Sequence, residues 1–401
     1  MTTRKENYAS ILRLTMPSGE KLPTLVPNHT RVPFLLPDRW SRSHRRFQVA
    51  SSTLEIDLRG IGKLYTWAYK ERQLDLDQHL STRDLYDPVI LNSLITYMHL
   101  DCLNKKTGVV TSGTYNTYLR AISNFLQWCL YLAHRGGKSE ERNWSLARKR
   151  LEYDEYFMEQ YIPVRQSETW QPLTYEETNK IRNILNTSTV FAPETRLRNW
   201  IMFNLALELG LRRGELLKLR LDSIPRGRDK KIKILRNPDD PHDTRADEPN
   251  VKTMEREIPA SKNMLQDIHN YLTLHPPAGR PSTDNPYLFL STEGNPLSVV
   301  QTHEIIKKIG KYTDIENLNW HRLRHTWAER MVDFYIENKV DNYIDQMMYL
   351  GGWFNPQSVL RYTRNANAKA SILWQEKRLN RQEKEAQFSF EEHDFTHSKR
   401  V

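Results

Sequence analysis

The sequence predicts a mainly α-helical protein with a small β-sheet, built as two domains with an extension at each end. Three observations carry this prediction. Apolar residues recur at helical spacing through much of 51–163 and 196–364. Only two short runs, 231–236 and 256–260, read as strands. A polar stretch with a proline at each end, Pro163–Pro172, divides an all-α part from an α+β part.

The composition agrees with this reading. A chain of 401 residues has room for two to three domains, and 38% hydrophobic with 27% charged residues suits a globular protein, not a disordered one. No apolar run approaches the roughly 20 residues that span a bilayer, so no membrane partner is expected. The N-terminus MTTRKENYAS lacks the apolar core of a signal peptide. Two cysteines, Cys102 and Cys129, imply neither a disulfide framework nor a zinc site, and a reducing cytoplasm fits. The net charge of +10 favours a polyanionic partner, nucleic acid first.

Residues 1–50 read as a basic extension, with nine Lys/Arg against three Asp/Glu. Pro17, Pro23, Pro27, Pro33 and Pro37 argue against a long helix there. Arg39, Arg42, Arg45 and Arg46, with Trp40, are candidates to grip a phosphate backbone, with a merely solvated arm as the alternative. Residues 51–165 form the expected all-α domain. Its clearest helix is 112–135, where Leu119, Ile122, Leu126, Cys129 and Leu130 make one apolar stripe. Tyr115, Arg120, Asn124 and Gln127 lie off that stripe, and Arg120 is a further candidate for DNA contact. Segments 53–70, 87–102 and 143–161 read as helices too.

The second domain is expected over 170–365. Thr174 and Glu177 match a capping box that opens it. Helix 196–210 follows, then a short helix from about 214. Strands 231–236 and 256–260 flank an acidic, proline-rich loop, NPDDPHDTRADEPN. Helices are expected near 261–274, 298–313, 321–338, 341–350 and 356–364. Residues 366–385 read as one charged tail helix with Ile372, Leu373 and Trp374 as its apolar patch. Too few apolar residues remain in 366–401 for that tail to stand alone, so it packs on its own body or on a neighbour.

Three motifs carry chemistry. In LGLRRGEL a glycine ends one helix and Arg212 stands at the turn into the next, where its fork can meet a phosphate, with Glu215 to orient it and Arg213 beside it. The bland alternative is an ordinary helix–turn–helix corner. In HRLRH, His321 and Arg324 share a helix face, with Arg322 and His325 completing four basic groups in five residues. Such a cluster is costly to bury without an anion. Zinc on His321 and His325 is the alternative, weakened by two intervening arginines and the absence of a glutamate. In LGGW, Trp353 precedes Tyr362 by nine residues. A lone late tyrosine is ordinarily packing, and its order after the two arginine motifs singles it out.

The three motifs, in this order and spacing, resemble the tyrosine recombinase (phage integrase) family. The resemblance covers about residues 55–365, with its strong motifs in 205–365. It implies a two-domain DNA clamp, an all-α core-binding domain plus an α+β catalytic domain. It implies catalytic roles for Arg212, His321, Arg324 and Tyr362, with Glu215 and His325 in support. Trp353 stands where many members carry histidine, as in the similar Cre recombinase segment. An indole N–H can still donate to a phosphate but cannot shuttle a proton. The family also places a proton-donating lysine on the strand hairpin. Lys252 fits best, with Lys231 and Lys233 as rivals. Arg213 and Arg322 join Arg42, Arg45, Arg46 and Arg120 as expected DNA contacts.

The implied activity is site-specific cutting and rejoining of duplex DNA through a 3′-phosphotyrosyl bond, without metal, ATP or cofactor. The implied partners are double-stranded DNA, a homotetramer on paired sites, and accessory DNA-bending or directionality proteins, in the cytoplasm at the nucleoid. The alternatives are a non-catalytic, sequence-specific DNA-binding protein, or a resolvase or type IB topoisomerase-like enzyme of the same chemistry.

Overall fold

The computed structural model describes residues 8–82, 87–102, 111–134, 140–163, 171–187, 189–227, 229–237, 240, 243–274 and 279–385. The chain divides into two compact units, Met1–Thr169 with Pro238–Glu248, and Trp170–Asn237 with Pro249–Val401.

The first unit opens with an antiparallel hairpin, β1 (Ala9–Thr15) and β2 (Lys21–Pro27), in which Ala9 faces Pro27 and Thr15 faces Lys21. A short helix, α1 (Leu35–Trp40), and a π-helical turn, Ser41–Arg45, follow. Leu22, Leu25, Leu36 and Trp40 are buried in the same core as the helices beyond them. Residues 9–45 are therefore not a free extension. Prolines are tolerated in β2 because a strand of a two-stranded sheet has one unpaired edge.

The unit continues with α2 (Ser51–Arg72), α3 (Leu76–Thr82), α4 (Pro88–Cys102), α5 (Ser112–His134) and α6 (Glu140–Glu159). From residue 51 on, the unit is all-α where it is described, as expected, and the hairpin comes from the segment expected as an extension. The stripe expected on α5 is buried throughout. Tyr115 and Gln127, expected off it, are buried as well. The reason is that α5 is covered on two sides, by α2 and by α6. The segment Pro238–Glu248, expected as loop, carries no regular secondary structure where it is described. In it Arg245 donates to both carboxylate oxygens of buried Asp243, at 2.8 and 2.7 Å.

Residues 164–170 of the expected linker lie outside the described residues. The second unit starts at α7 (Tyr175–Thr187) with the expected capping box. Glu177 N–H donates to Thr174 Oγ1 at 3.0 Å, and Thr174 N–H to Glu177 Oε2 at 2.8 Å. Next come α8 (Pro193–Glu208), α9 (Arg213–Lys218), the antiparallel pair β3 (Lys231–Ile234) and β4 (Arg256–Pro259), and α10 (Lys262–Thr273). They are followed by α11 (Val299–Thr313), α12 (Trp320–Glu337), α13 (Tyr343–Gly351) and α14 (Gln357–Glu385). Each lies close to its expected place except the last. The helices expected at 356–364 and 366–385 are one, because no Gly or Pro interrupts 357–385.

Two cores meet on α12. Leu323 belongs to a large cluster around Ile201, Phe203 and Leu205 of α8. Trp327 belongs to a smaller one with Val332, Met347, Trp353, Val359 and Tyr362. The chemistry-bearing residues sit at this junction. Among the described residues no helix is long and apolar enough to cross a membrane.

Candidate active site

The corner between α8 and α9 turns at Gly210, whose φ of +64° is left-handed and whose position leaves no room for a side chain. A Cβ there would lie 2.2 Å from the Trp327 ring. The turn puts Arg212 at the N-cap of α9. Its backbone N–H donates to Glu215 Oε2 at 2.6 Å, so the carboxylate fixes the corner. The Arg212 side chain is left with a buried Nη1 that has no hydrogen-bond partner among the described residues. Burial lowers its pKa, Glu215 opposes that, and Arg256 adds to it.

Helix α12 is capped by Asn319, which accepts from Arg322 N–H at 3.0 Å. Arg324 is buried and donates to two carbonyl oxygens, Gly210 from Nη1 and Gly351 from Nη2, both at 2.6 Å. Its guanidinium lies 4.4 Å from the centre of the Trp353 ring. Burial first, then Arg212, pushes Arg324 down to about 9. Arg212, Arg256 and Arg324 share the carboxylate of Glu215, whose Oε2 lies 3.9 Å from Arg324 Nη1, and the positive charge left over is what an anion relieves.

His321 is exposed one turn away, and its pKa is lowered by desolvation and by Arg324, Arg212 and Arg361. The His325 ring stands edge-on to it at 4.2 Å and lies 5.3 Å from the Tyr362 ring. Burial, then His321 and two arginines, push His325 down to about 4. Both imidazoles are neutral at pH 7. Among the described residues no group of three or more His, Cys, Asp and Glu side chains forms a metal-ligand set around them.

Tyr362, on α14, is 5% exposed and packs against Trp353 at 5.9 Å. Burial raises its pKa, and Arg324, Arg361 and Arg212 oppose that. Trp353 follows α13 and is wedged between Trp327, Tyr362 and Arg324. Its ring is a platform beneath the arginine.

Lys252 is exposed and lines a cavity of about 390 Å³ with Arg212, Arg213, His303 and His321. Lys231 and Lys233, the rivals, stand on β3 beside Glu257, at 3.9 and 4.0 Å, and do not line it. Arginines 212 and 324, histidines 321 and 325, Lys252, Trp353 and Tyr362 therefore come together in one unit.

The remaining expected DNA contacts fare differently. Arg120 is exposed on α5 and Arg213 lines the cavity. Arg322 is buried and engaged by the Gln171 and Glu316 carbonyls, each at 2.9 Å, and by Glu177 at 3.2 Å. It staples the second unit, with each of its three nitrogens already engaged by protein. Arg42 pairs with Asp38 at 2.8 Å, Arg45 with buried Asp57 at 2.8 Å, and Arg46 with Glu20. Their charge is met inside the first unit. Sequence reasoning missed Thr253, Arg256, His303 and Arg361. Only Arg361, next to Tyr362, carried a signal.

Residues 171–369 match the phage integrase family. This part of the chain belongs to the phage integrase family. The integrase segment holds every residue of the cluster just described.

Over 158 residues the chain is 25% identical to tyrosine recombinase XerC of Alcanivorax borkumensis. That match covers 39% of this chain and 46% of the relative, so the chain spans about half the length of the curated relative it matches. The fold resembles XerH site-specific recombinase bound to difH substrate, with a TM-score of 0.52 at 14% identity, over 86% of this chain and 87% of that one. It also resembles the Tn1549 transposon integrase in complex with circular intermediate DNA, with a TM-score of 0.50 at 18% identity, over 85% of this chain and all of that one.

Proposed function

We propose that this integrase-family chain is a site-specific DNA recombinase that cuts and rejoins duplex DNA through a phosphotyrosine at Tyr362. One observation carries the reading. Two arginines, buried Arg324 and half-buried Arg212, share the Glu215 carboxylate with Arg256 and adjoin a tyrosine and a cavity lined by Lys252 and His321.

A scissile phosphate would take the free donor of Arg212 and the charge of Arg324, with His321 as a further donor. Tyr362 Oη attacks phosphorus in line, and the neutral imidazoles of His321 and His325 are the nearby bases for its proton. The P–O5′ bond breaks as Lys252 Nζ protonates the leaving oxygen. The 3′-phosphotyrosyl bond conserves the energy of the phosphodiester, so a 5′-hydroxyl reseals the strand without ATP. Exchange between two duplexes requires four protomers. The exposed Ile372, Leu373 and Trp374 of α14 supply an apolar face for docking on a second copy. Duplex DNA, a tetramer on paired sites, accessory DNA-bending proteins and a place at the nucleoid complete the reading.

The test is to incubate the protein with a randomised library of nicked duplexes and recover DNA that stays bound in SDS. Sequencing that DNA yields the site. The adduct is expected to vanish in Tyr362→Phe and to persist in Tyr349→Phe. A Tyr362→Phe protein that still forms it overturns the reading.

A further inference from the structure

Arg256 faces neither the cavity nor solvent, yet three chain segments meet on its side chain, which is fully buried. Its Nη1 donates to Glu215 Oε1 at 2.8 Å and to the Met254 carbonyl at 3.2 Å. Its Nε donates to the Leu350 carbonyl at 2.7 Å. We infer that Arg256 is a positioning residue that sets Lys252, and with it Trp353, relative to Arg212.

Glu215 fixes the Arg212 corner through Oε2, while its Oε1 takes both Arg256 and the Thr253 hydroxyl. Thr253 is the neighbour of Lys252. Met254 N–H then donates to the Gly352 carbonyl at 3.2 Å, so the lysine loop is pinned at two consecutive residues. Leu350 and Gly352 belong to the turn that delivers Trp353. That turn sits directly on the arginine: Gly352 has φ of +63°, and a Cβ there would lie 2.6 Å from Arg256 Nη1 and 2.8 Å from Thr253 Cβ. Residues 212–215, 252–256 and 350–353 each bring one member of the proposed catalytic set, and they share this side chain. A planar guanidinium can serve three acceptors at fixed angles, which a lysine ammonium on a flexible stem cannot. Glu215 is buried, which raises its pKa, but Arg256, Arg324 and Thr253 together hold it below the usual carboxylate range, so the carboxylate stays ionised.

The inference rests on Lys252 as proton donor. When Tyr362 Oη bonds phosphorus and P–O5′ breaks, the departing oxygen takes the Lys252 proton. Replacing that bridging oxygen by sulfur removes the need, because a thiol ionises near pH ~8.5 and leaves as the thiolate. A fault in placing the proton donor then disappears, while a fault in phosphate binding or in the nucleophile persists.

The experiment measures single-turnover adduct formation by the full chain on the recovered nicked duplex and on its 5′-bridging phosphorothiolate counterpart. The readout is the sulfur-to-oxygen rate ratio, in which the fraction of active protein cancels. Lys252→Ala is expected to lose roughly 10²–10⁴-fold on oxygen, with the loss largely restored on sulfur. Arg256→Met is expected to lose on the order of 10²-fold on oxygen and to raise the ratio at least ~10-fold. Arg256→Lys, which keeps the charge should Met prevent folding, is expected to raise it in the same direction by less. Arg256 variants that are slow with an unchanged ratio, beside a rescued Lys252→Ala, overturn the inference and leave the recombinase reading standing. A Lys252→Ala protein not restored by sulfur overturns the lysine assignment and this inference with it, while the Tyr362 adduct still tests the reaction class.

Discussion

The Arg324 guanidinium lies 4.4 Å from the centre of the Trp353 ring, and both side chains are buried. The arginine is held in the plane of its hydrogen bonds by two carbonyl oxygens and across that plane by the indole. A desolvated cation–π contact of this kind contributes about 2 kcal/mol. Removing the ring also opens a cavity worth about 3–5 kcal/mol of stability. Trp353→Phe is expected to keep adduct formation within about tenfold of the parent, since the platform survives. Trp353→Ala is expected to lower the melting temperature and the rate together. Equal rates in the Ala and Phe proteins would show that the ring does not hold the arginine.

The buried pair Glu215–Arg256 makes a second prediction. Both side chains are nearly inaccessible, and removing one partner strands the other charge. Glu215→Ala is expected to cost about 3–5 kcal/mol in chemical denaturation. Glu215→Gln, which keeps the shape and one acceptor, is expected to cost less. A loss under ~1 kcal/mol for Glu215→Ala contradicts the network described here.

These two relationships mark what the sequence made legible. His321 and Arg324 could be paired from sequence because residues three apart on a helix share a face. Arg212 could be placed because a glycine-ended helix dictates where the next residue points. Arg256 could not, since the two acceptors that tie it to other segments lie 41 and 94 residues away and no local rule links them. The same limit hid the partners of Arg45 and Arg46. Their carboxylates, Asp57 and Glu20, become neighbours only after the first unit folds. The β1–β2 hairpin was hidden for another reason: prolines that end a central strand are harmless on an edge.

Arg45 supplies a third test. It pairs with Asp57, whose side chain is 3% exposed, so Arg45→Ala leaves a buried carboxylate without its partner. The expected cost is about 1–3 kcal/mol in the first unit. DNA affinity is expected to keep its salt dependence, because no phosphate contact is lost. Each lost contact lowers the slope of log K against log salt by about 0.9. A drop of that size in Arg45→Ala, measured by titration at several salt concentrations, would restore the arginine to the DNA interface.

His325 predicts how stability responds to acid. Its folded pKa, pushed down to about 4, lies below the unfolded value near ~6.5. The unfolded chain therefore binds the proton first. The contribution is fully present above pH ~6.5 and is lost as pH falls towards 4, by about 3 kcal/mol at most. Carboxylates titrate in the lower part of that window, so the comparison must be with His325→Gln. Its unfolding free energy is expected to fall less steeply between pH 6.5 and 4.5 than that of the parent. Parallel curves would mean that the imidazole is not held neutral by its surroundings.

The last prediction concerns α14, which carries Tyr362 and Trp374 on one unbroken helix. At ~1.5 Å per residue, their separation of twelve positions spans about 18 Å. Ile372, Leu373 and Trp374 are 61%, 51% and 69% exposed, and the Trp374 ring meets Lys377 of the same helix at 5.2 Å, so replacing them removes little packing within the protomer. Trp374→Glu is expected to shift protomer stability by less than about 0.5 kcal/mol. If a second copy covers this face, the same change lowers assembly on DNA, read as the protein-to-DNA ratio of the complex in light scattering. Adduct formation by an isolated protomer on a nicked half-site should stay unchanged, since Trp374 lies far from the phosphate. A Trp374→Glu protein that assembles on paired sites like the parent removes the docking role from this patch. A slower half-site reaction would mean instead that the tail acts on the Tyr362 of its own chain.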